Sequence, residues 1–202
     1  MKSAKARLLD LLRPHISDER VLEAIEAVPR DLFVPPELAE EAWDNVPLPI
    51  GAGQTISQPL VVARMCELLR LDGDEKILDV GTGSGYHAAL LAYLGDHVWS
   101  IERHASLSEQ AARNLAAAGV HNVTLIVGDG RKGLPEQAPF DAINVAAAAG
   151  AEIPRALEEQ LAVGGRLVVP VEDGDQRLFV VERTPTGYTR TGLERVRFVP
   201  LV

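Results

Sequence analysis

Between residues 76 and 171, short β-branched runs alternate with stretches rich in Ala and Leu, and few folds accommodate that order. The runs are Lys76–Val80, 98–101, Val123–Val127, Phe140–Val145 and 166–171. Helical stretches at Tyr86–Leu94 and 106–118 separate the first three, a turn-rich crossover precedes the fourth, and a helix over 153–161, ended by Gly164-Gly165, precedes the fifth. Parallel strands need such crossovers, so the pattern predicts an α/β fold with a doubly wound, mostly parallel sheet. Two further runs, 178–182 and 194–199, are joined by Thr184-Pro185-Thr186-Gly187 and predict an antiparallel pair at the sheet edge. That makes seven strands.

The first 58 residues read differently. Leu8, Leu9, Leu11 and Leu12 cluster near one helical face, and Val21, Leu22 and Ile25 share the next. Prolines at 29, 35 and 36 then break the periodicity, and 46–53 is Pro- and Gly-rich. A helix resumes at residue 59. No linker or repeat divides the 202 residues, so the expectation is one domain over 1–202: a helical cap with a loop (1–58) on a ligand-binding core (59–202).

Charge narrows the partners. A net charge of -9 argues against a broad nucleic-acid or anionic-membrane surface, since phosphate contacts are made largely by Lys and Arg. The single cysteine, Cys66, fits a reducing compartment, and the basic start lacks the apolar core of a signal peptide. The expectation is a cytoplasmic monomer.

The strand ending Leu78-Asp79-Val80 runs into Gly81-Thr82-Gly83-Ser84-Gly85 and a helix. In open α/β sheets the ligand crevice lies at the carboxyl ends of the strands. Glu102, 21 residues after Gly81, is placed to accept from ribose hydroxyls. A dinucleotide and S-adenosylmethionine both fit this outline. The dinucleotide fingerprint G-x-G-x-x-G fails because position 86 is Tyr, and Asp79 suits an ammonium better than a pyrophosphate. Asp129, in Val127-Gly128-Asp129-Gly130, adds an acid that can accept from an adenine amino group. The alternative is that these acids only cap helices and turns.

The acceptor is read partly by exclusion. The Asp/Asn-Pro-Pro-aromatic motif of nitrogen methylation is replaced by Asn144-Val145-Ala146-Ala147, and Cys66 lies mid-helix rather than in a nucleophile loop. The histidines and acids show no metal-ligand spacing, so no metal is expected.

The chain resembles the protein-L-isoaspartate (D-aspartate) O-methyltransferase family over nearly its whole length. The resemblance is carried by Val28-Pro29-Arg30-Asp31-Leu32-Phe33-Val34, Ala42-Trp43-Asp44-Asn45, Gly53-Gln54-Thr55-Ile56-Ser57-Gln58-Pro59 and Leu78 to Tyr86. Ser100-Ile101-Glu102-Arg103, Gly128-Asp129-Gly130, Ala138 to Ile143 and Val196-Arg197-Phe198-Val199-Pro200-Leu201-Val202 extend it. The resemblance implies a Rossmann-like S-adenosylmethionine-dependent methyltransferase fold with added N-terminal helices. It implies methyl transfer to the free α-carboxyl of L-isoaspartyl residues, with D-aspartyl residues as a second candidate acceptor, in damaged proteins and peptides, leading to repair through a succinimide. Ser57 takes the active-site role, and Thr55, Ile56, Ser57, Asp79, Gly81, Gly83, Glu102, Arg103, Asp129 and Gly130 contact the cofactor. Ala146 and Gly150 stand where the family often has Thr and Pro. Competing readings are a methyltransferase for a small carboxylic acid, a silent cofactor-binding protein and a nicotinamide dehydrogenase. A bland role for Ser57 is N-cap of the helix at Pro59.

Overall fold

The computed structural model describes residues 2–202. Its main sheet has seven strands: β3 (Lys76–Val80), β4 (His97–Glu102), β5 (Val123–Val127), β6 (Phe140–Val145), β7 (Leu161–Asp173), β8 (Asp175–Thr184) and β9 (Gly187–Arg195). The order is β5-β4-β3-β6-β7-β8-β9. Every pair from β5 to β7 is parallel, and β7-β8 and β8-β9 are antiparallel. The strand order reverses between β3 and β6, so the crevice predicted for an open sheet opens at their carboxyl ends.

Period-two alternation builds a core on each face. Ile77, Ala142 and Val168 face one side, with α1 (Ala4–Leu12), α2 (Glu19–Ala27), α3 (Pro59–Leu69) and α4 (Tyr86–Leu94). Leu78, Ile143 and Leu167 face the other, with Leu157 of α6 (Arg155–Glu159). Helix α4 is apolar all round and buried along nearly its whole length, as a helix in the middle of a packed layer must be. Between β4 and β5, α5 (Ala105–Ala117) buries only one face, through Leu107, Ala111 and Leu115. Cys66 is buried in α3.

Three expectations are corrected. The helix expected over 153–161 is the shorter α6, and Leu161 already pairs with Phe140 in β7. Gly164-Gly165 therefore ends no helix. It forms a bulge, with the register jumping from Leu161 to Arg166 and Gly165 pressed against the Asp141 carbonyl, where a Cβ would lie 2.8 Å away. The last strand is not 194–199 but β9, which pairs from Gly187 opposite Thr184. Its early residues Tyr188-Thr189-Arg190-Thr191 form a polar edge strand that apolar alternation does not detect. Finally, the Pro- and Gly-rich stretch read as irregular holds a hairpin, β1 (Leu48–Gly51) with β2 (Gln54–Ile56), turned through Ala52 and Gly53 at positive φ.

Candidate active site

The glycine turn follows β3. Gly81 (φ 94°) and Gly83 (φ 53°) are in left-handed conformations that side chains disfavour. A Cβ on Gly83 would sit 3.2 Å from Ile50 of the hairpin, so the turn and the hairpin approach closely. Glu102, at the end of β4 and 6% exposed, accepts the Gly83 N–H through Oε2 at 2.9 Å and the His104 N–H through Oε1 at 3.0 Å. Backbone groups thus fix the carboxylate and occupy part of its accepting capacity, leaving the rest for diol hydroxyls in the cleft it lines.

That cleft, about 590 Å³ including space open to solvent, is walled by Thr55, Gly81, Gly83, Glu102, Arg103 and Gly130. Residues 199–202 roof it. Ala148 N–H donates to the Val199 carbonyl at 2.8 Å, and Leu201 N–H to the Ala148 carbonyl at 2.7 Å, which lays residues 199–202 along the cleft. Gly130 allows close approach on the floor, where a Cβ would meet Val80 at 2.4 Å. A ribose diol fits the accepting capacity that Glu102 keeps free here.

Two of the predicted acids lie elsewhere. Asp79 is fully buried beneath the turn, accepting from Ser100 Oγ at 2.6 Å and Asn144 Nδ2 at 2.7 Å. Burial pushes its pKa up to about 6 against those hydrogen bonds. Asn144 also meets His87 Nδ1 at 3.2 Å, and burial takes His87 down to about 3. Asp129 accepts from the Arg131 guanidinium at 3.0 and 2.8 Å and caps the following turn, which holds its carboxyl well below the ordinary range. Neither Asp79 nor Asp129 lines the cleft; Gly130 does.

Ser57 does not cap α3. The N-cap position is Gln58, without a side-chain bond, and Asn45 Oδ1 accepts the Leu60 N–H at 3.0 Å instead. Ser57 lines two cavities that adjoin the cleft. A space of about 340 Å³, including open solvent, lies beside Ile56, Gly81, Tyr86 and His87. The other, about 870 Å³ including open solvent, runs outward between Pro47, Gln58 and Val61 and the segment Arg197-Phe198-Val199. Thr55 and Ala146 line all three spaces, so they mark where the spaces meet. Sequence reasoning missed Asn45 and the buried Arg30, although both sit in stretches that carry the family resemblance. Ala146 was noted only as a departure from the family pattern. Among the described residues no group of three or more His, Cys, Asp or Glu side chains is placed to hold a metal ion.

The fold and the cleft together define a class, the Rossmann-like S-adenosylmethionine-dependent methyltransferases, because Tyr86 denies a dinucleotide its third glycine while a second cavity opens beyond Thr55. The sequence pattern described as Protein-L-isoaspartate(D-aspartate) O-methyltransferase matches residues 3–202. A protein-L-isoaspartate O-methyltransferase of Chromobacterium violaceum is 54% identical over 201 residues, 98% of this chain and 90% of that one. One of Aeromonas hydrophila is 53% identical over 197 residues, 97% of this chain and 96% of that one. Among solved structures, a protein-L-isoaspartate O-methyltransferase superposes with a TM-score of 0.87 at 27% identity, over 97% of this chain and 65% of that longer one. A Plasmodium falciparum protein assigned to the same activity, solved with S-adenosyl-L-homocysteine, gives 0.84 at 27% identity over 100% of this chain and 99% of its own. The chain belongs to the protein-L-isoaspartate(D-aspartate) O-methyltransferase family.

Proposed function

We propose that this chain transfers a methyl group from S-adenosylmethionine to the free α-carboxylate of L-isoaspartyl residues in damaged proteins and peptides. The observation that carries the reading at the site is the junction at Thr55 and Ala146, with Ser57 lining the two adjoining cavities and not needed as a cap. The cofactor supplies an electrophilic methyl on a sulfonium. An isoaspartyl α-carboxylate is already ionised near neutral pH, so it needs orientation and exclusion of water rather than a base. Ser57 donates to one carboxylate oxygen and leaves the other free for in-line attack. Glu102 holds the ribose, Gly81, Gly83 and Gly130 let the backbone close on the cofactor, Thr55 and Arg103 complete its walls, and Ile56 backs the loop from the inner space. Asp79 acts from behind the turn through Ser100 and Asn144, and Asp129 acts by shaping the turn at Gly130. Val199, Pro200 and Leu201 keep water from the sulfonium.

The outer cavity takes the acceptor as an extended, flexible segment between the loop at Ser57 and the tail at Arg197. In this reading residues 1–58 form the cap and loop of a single domain, and the protein works as a cytoplasmic monomer. No helix among the described residues is long and apolar enough to cross a membrane. The methyl ester formed expels methanol as the neighbouring backbone nitrogen closes a succinimide, which water reopens partly to aspartate. The test is repair itself. Incubating an isoaspartyl peptide with the chain and S-adenosylmethionine should build up the aspartyl isomer over repeated cycles. No aspartyl product beyond that of the enzyme-free control would contradict the reading.

A further inference from the structure

Arg30 opens a short 3-10 turn (Arg30–Phe33) and is fully buried. Its Nε donates to the Ala42 carbonyl at 2.8 Å, and its Nη2 donates to the Ser57 carbonyl at 2.9 Å. The guanidinium lies over the Tyr86 ring, 4.8 Å from its centre, and Tyr86 is the first residue of α4 after the glycine turn. Phe33 packs edge-on against the same ring with centroids 5.6 Å apart. One side chain therefore ties three separate segments to the loop that carries Ser57.

Packing alone does not account for this choice of residue. A buried cation loses its hydration, and among the described residues no carboxylate pairs with Arg30, while Nη1 has no hydrogen-bond partner. An apolar side chain would fill the space at lower cost. What it lacks is a rigid fork able to bridge two carbonyls that face different segments, and Lys, with one donor centre, lacks it too. The bond also falls at a sensitive place. Downstream of Ser57 the backbone is already fixed, since Gln58 (φ -53°, ψ 131°) is restricted by Pro59 and Asn45 caps α3. Upstream, Ile56 pairs with Leu48. The Ser57 peptide is the remaining freedom, and the guanidinium removes it.

We infer that Arg30 is a positioning residue for methyl transfer, holding the Ser57 peptide so that its hydroxyl faces the acceptor space. The inference rests on the acceptor role proposed for Ser57. Arg30 itself touches neither the cofactor cleft nor the outer cavity.

The test is a double-mutant cycle in the full chain: Arg30→Lys, Ser57→Ala and the pair, with Arg30→Met as a neutral replacement that retains packing. Turnover on a saturating isoaspartyl peptide, affinity for S-adenosylhomocysteine and thermal melting are measured for each. Arg30→Lys should lower kcat about tenfold or more, as displacement of a positioning group does. Affinity for S-adenosylhomocysteine should stay within about threefold, and in the Ser57→Ala background the same change should cost less than about twofold, because the two act as a unit. The same loss of kcat in both backgrounds would overturn the inference and leave Arg30 a packing residue. If Arg30→Lys melts too early to assay, Arg30→Met is read against the same two outcomes. Full turnover in Ser57→Ala alone is a separate result, and it would overturn the role of Ser57 and of Arg30 together.

Discussion

Asn45 Oδ1 accepts the Leu60 N–H at 3.0 Å and thereby does the capping for which Ser57 is placed in sequence. The capping falls to Asn45 alone, and Ser57 has no part in it. Asn45→Ala should cost about 1 kcal/mol of stability, the usual worth of a cap. Ser57→Ala should change stability by less than about 0.5 kcal/mol, as expected away from core and cap, while turnover falls. Urea unfolding of both variants checks this, and a larger loss of stability in Ser57→Ala than in Asn45→Ala would show that the hydroxyl is structural.

The two carboxylates nearest the glycine turn should separate in the same way. Glu102 faces the cleft, so Glu102→Gln should weaken S-adenosylhomocysteine binding by about 1–3 kcal/mol, and it should cost less stability than Asp79→Ala because one backbone N–H, rather than two donors, loses its acceptor. Asp79→Ala leaves the Ser100 and Asn144 donors without their buried acceptor. It should therefore lose about 1–3 kcal/mol of stability in addition to cofactor affinity. Calorimetric titration and melting of the two variants decide the matter; equal stability losses would remove the distinction.

Stability against pH carries a signature of the buried network. Asp79 is raised to about 6, so its contribution is fully present below the unfolded carboxylate pKa and is lost as pH rises through about 6. His87 is lowered to about 3, so its contribution is present above the unfolded imidazole pKa and is lost as pH falls toward 3. Between about pH 4 and 6 the native chain holds one extra proton on Asp79 and the unfolded chain one on His87, and their slopes cancel. In His87→Gln the cancellation should fail, and stability should fall by up to about 1.4 kcal/mol per pH unit from pH 4 to 6 relative to the parent. Denaturant melts at three pH values measure it. Parallel curves for parent and variant would show that His87 titrates normally.

Turnover should be nearly insensitive to pH where those groups are silent. The attacking carboxylate, with a pKa of about 3.3–3.7 for a terminal α-carboxyl, is ionised throughout the neutral range. His87, held neutral by burial, supplies no titration there. From about pH 7 to 8 the rate of methyl transfer per bound peptide should stay within about twofold, since no base must first lose a proton. A tenfold rise per pH unit would point instead to a hydroxyl or amine acceptor.

Much of the architecture was legible because it is written in periods. Five strands, the glycine turn and the crossover helices follow from apolar spacing and from residues that tolerate left-handed backbone. Edge strand β9 was displaced because its early residues are polar, and the β1-β2 hairpin was hidden by its prolines and glycines. The site was legible where the acid faces the ligand, as Glu102 does. It was less so where a side chain acts through another. Asp79, Asn144, Asn45 and Arg30 make their contacts at separations of 12 to 65 residues, which no local pattern reveals.

The central claim is tested most directly by one pair of peptides, identical except that one carries L-isoaspartate where the other carries L-aspartate. With labelled S-adenosylmethionine, the chain should transfer methyl to the isoaspartyl peptide as a base-labile ester and leave the aspartyl peptide at background. Equal labelling of both peptides, or of neither, would contradict the assignment of the isoaspartyl α-carboxylate as the acceptor.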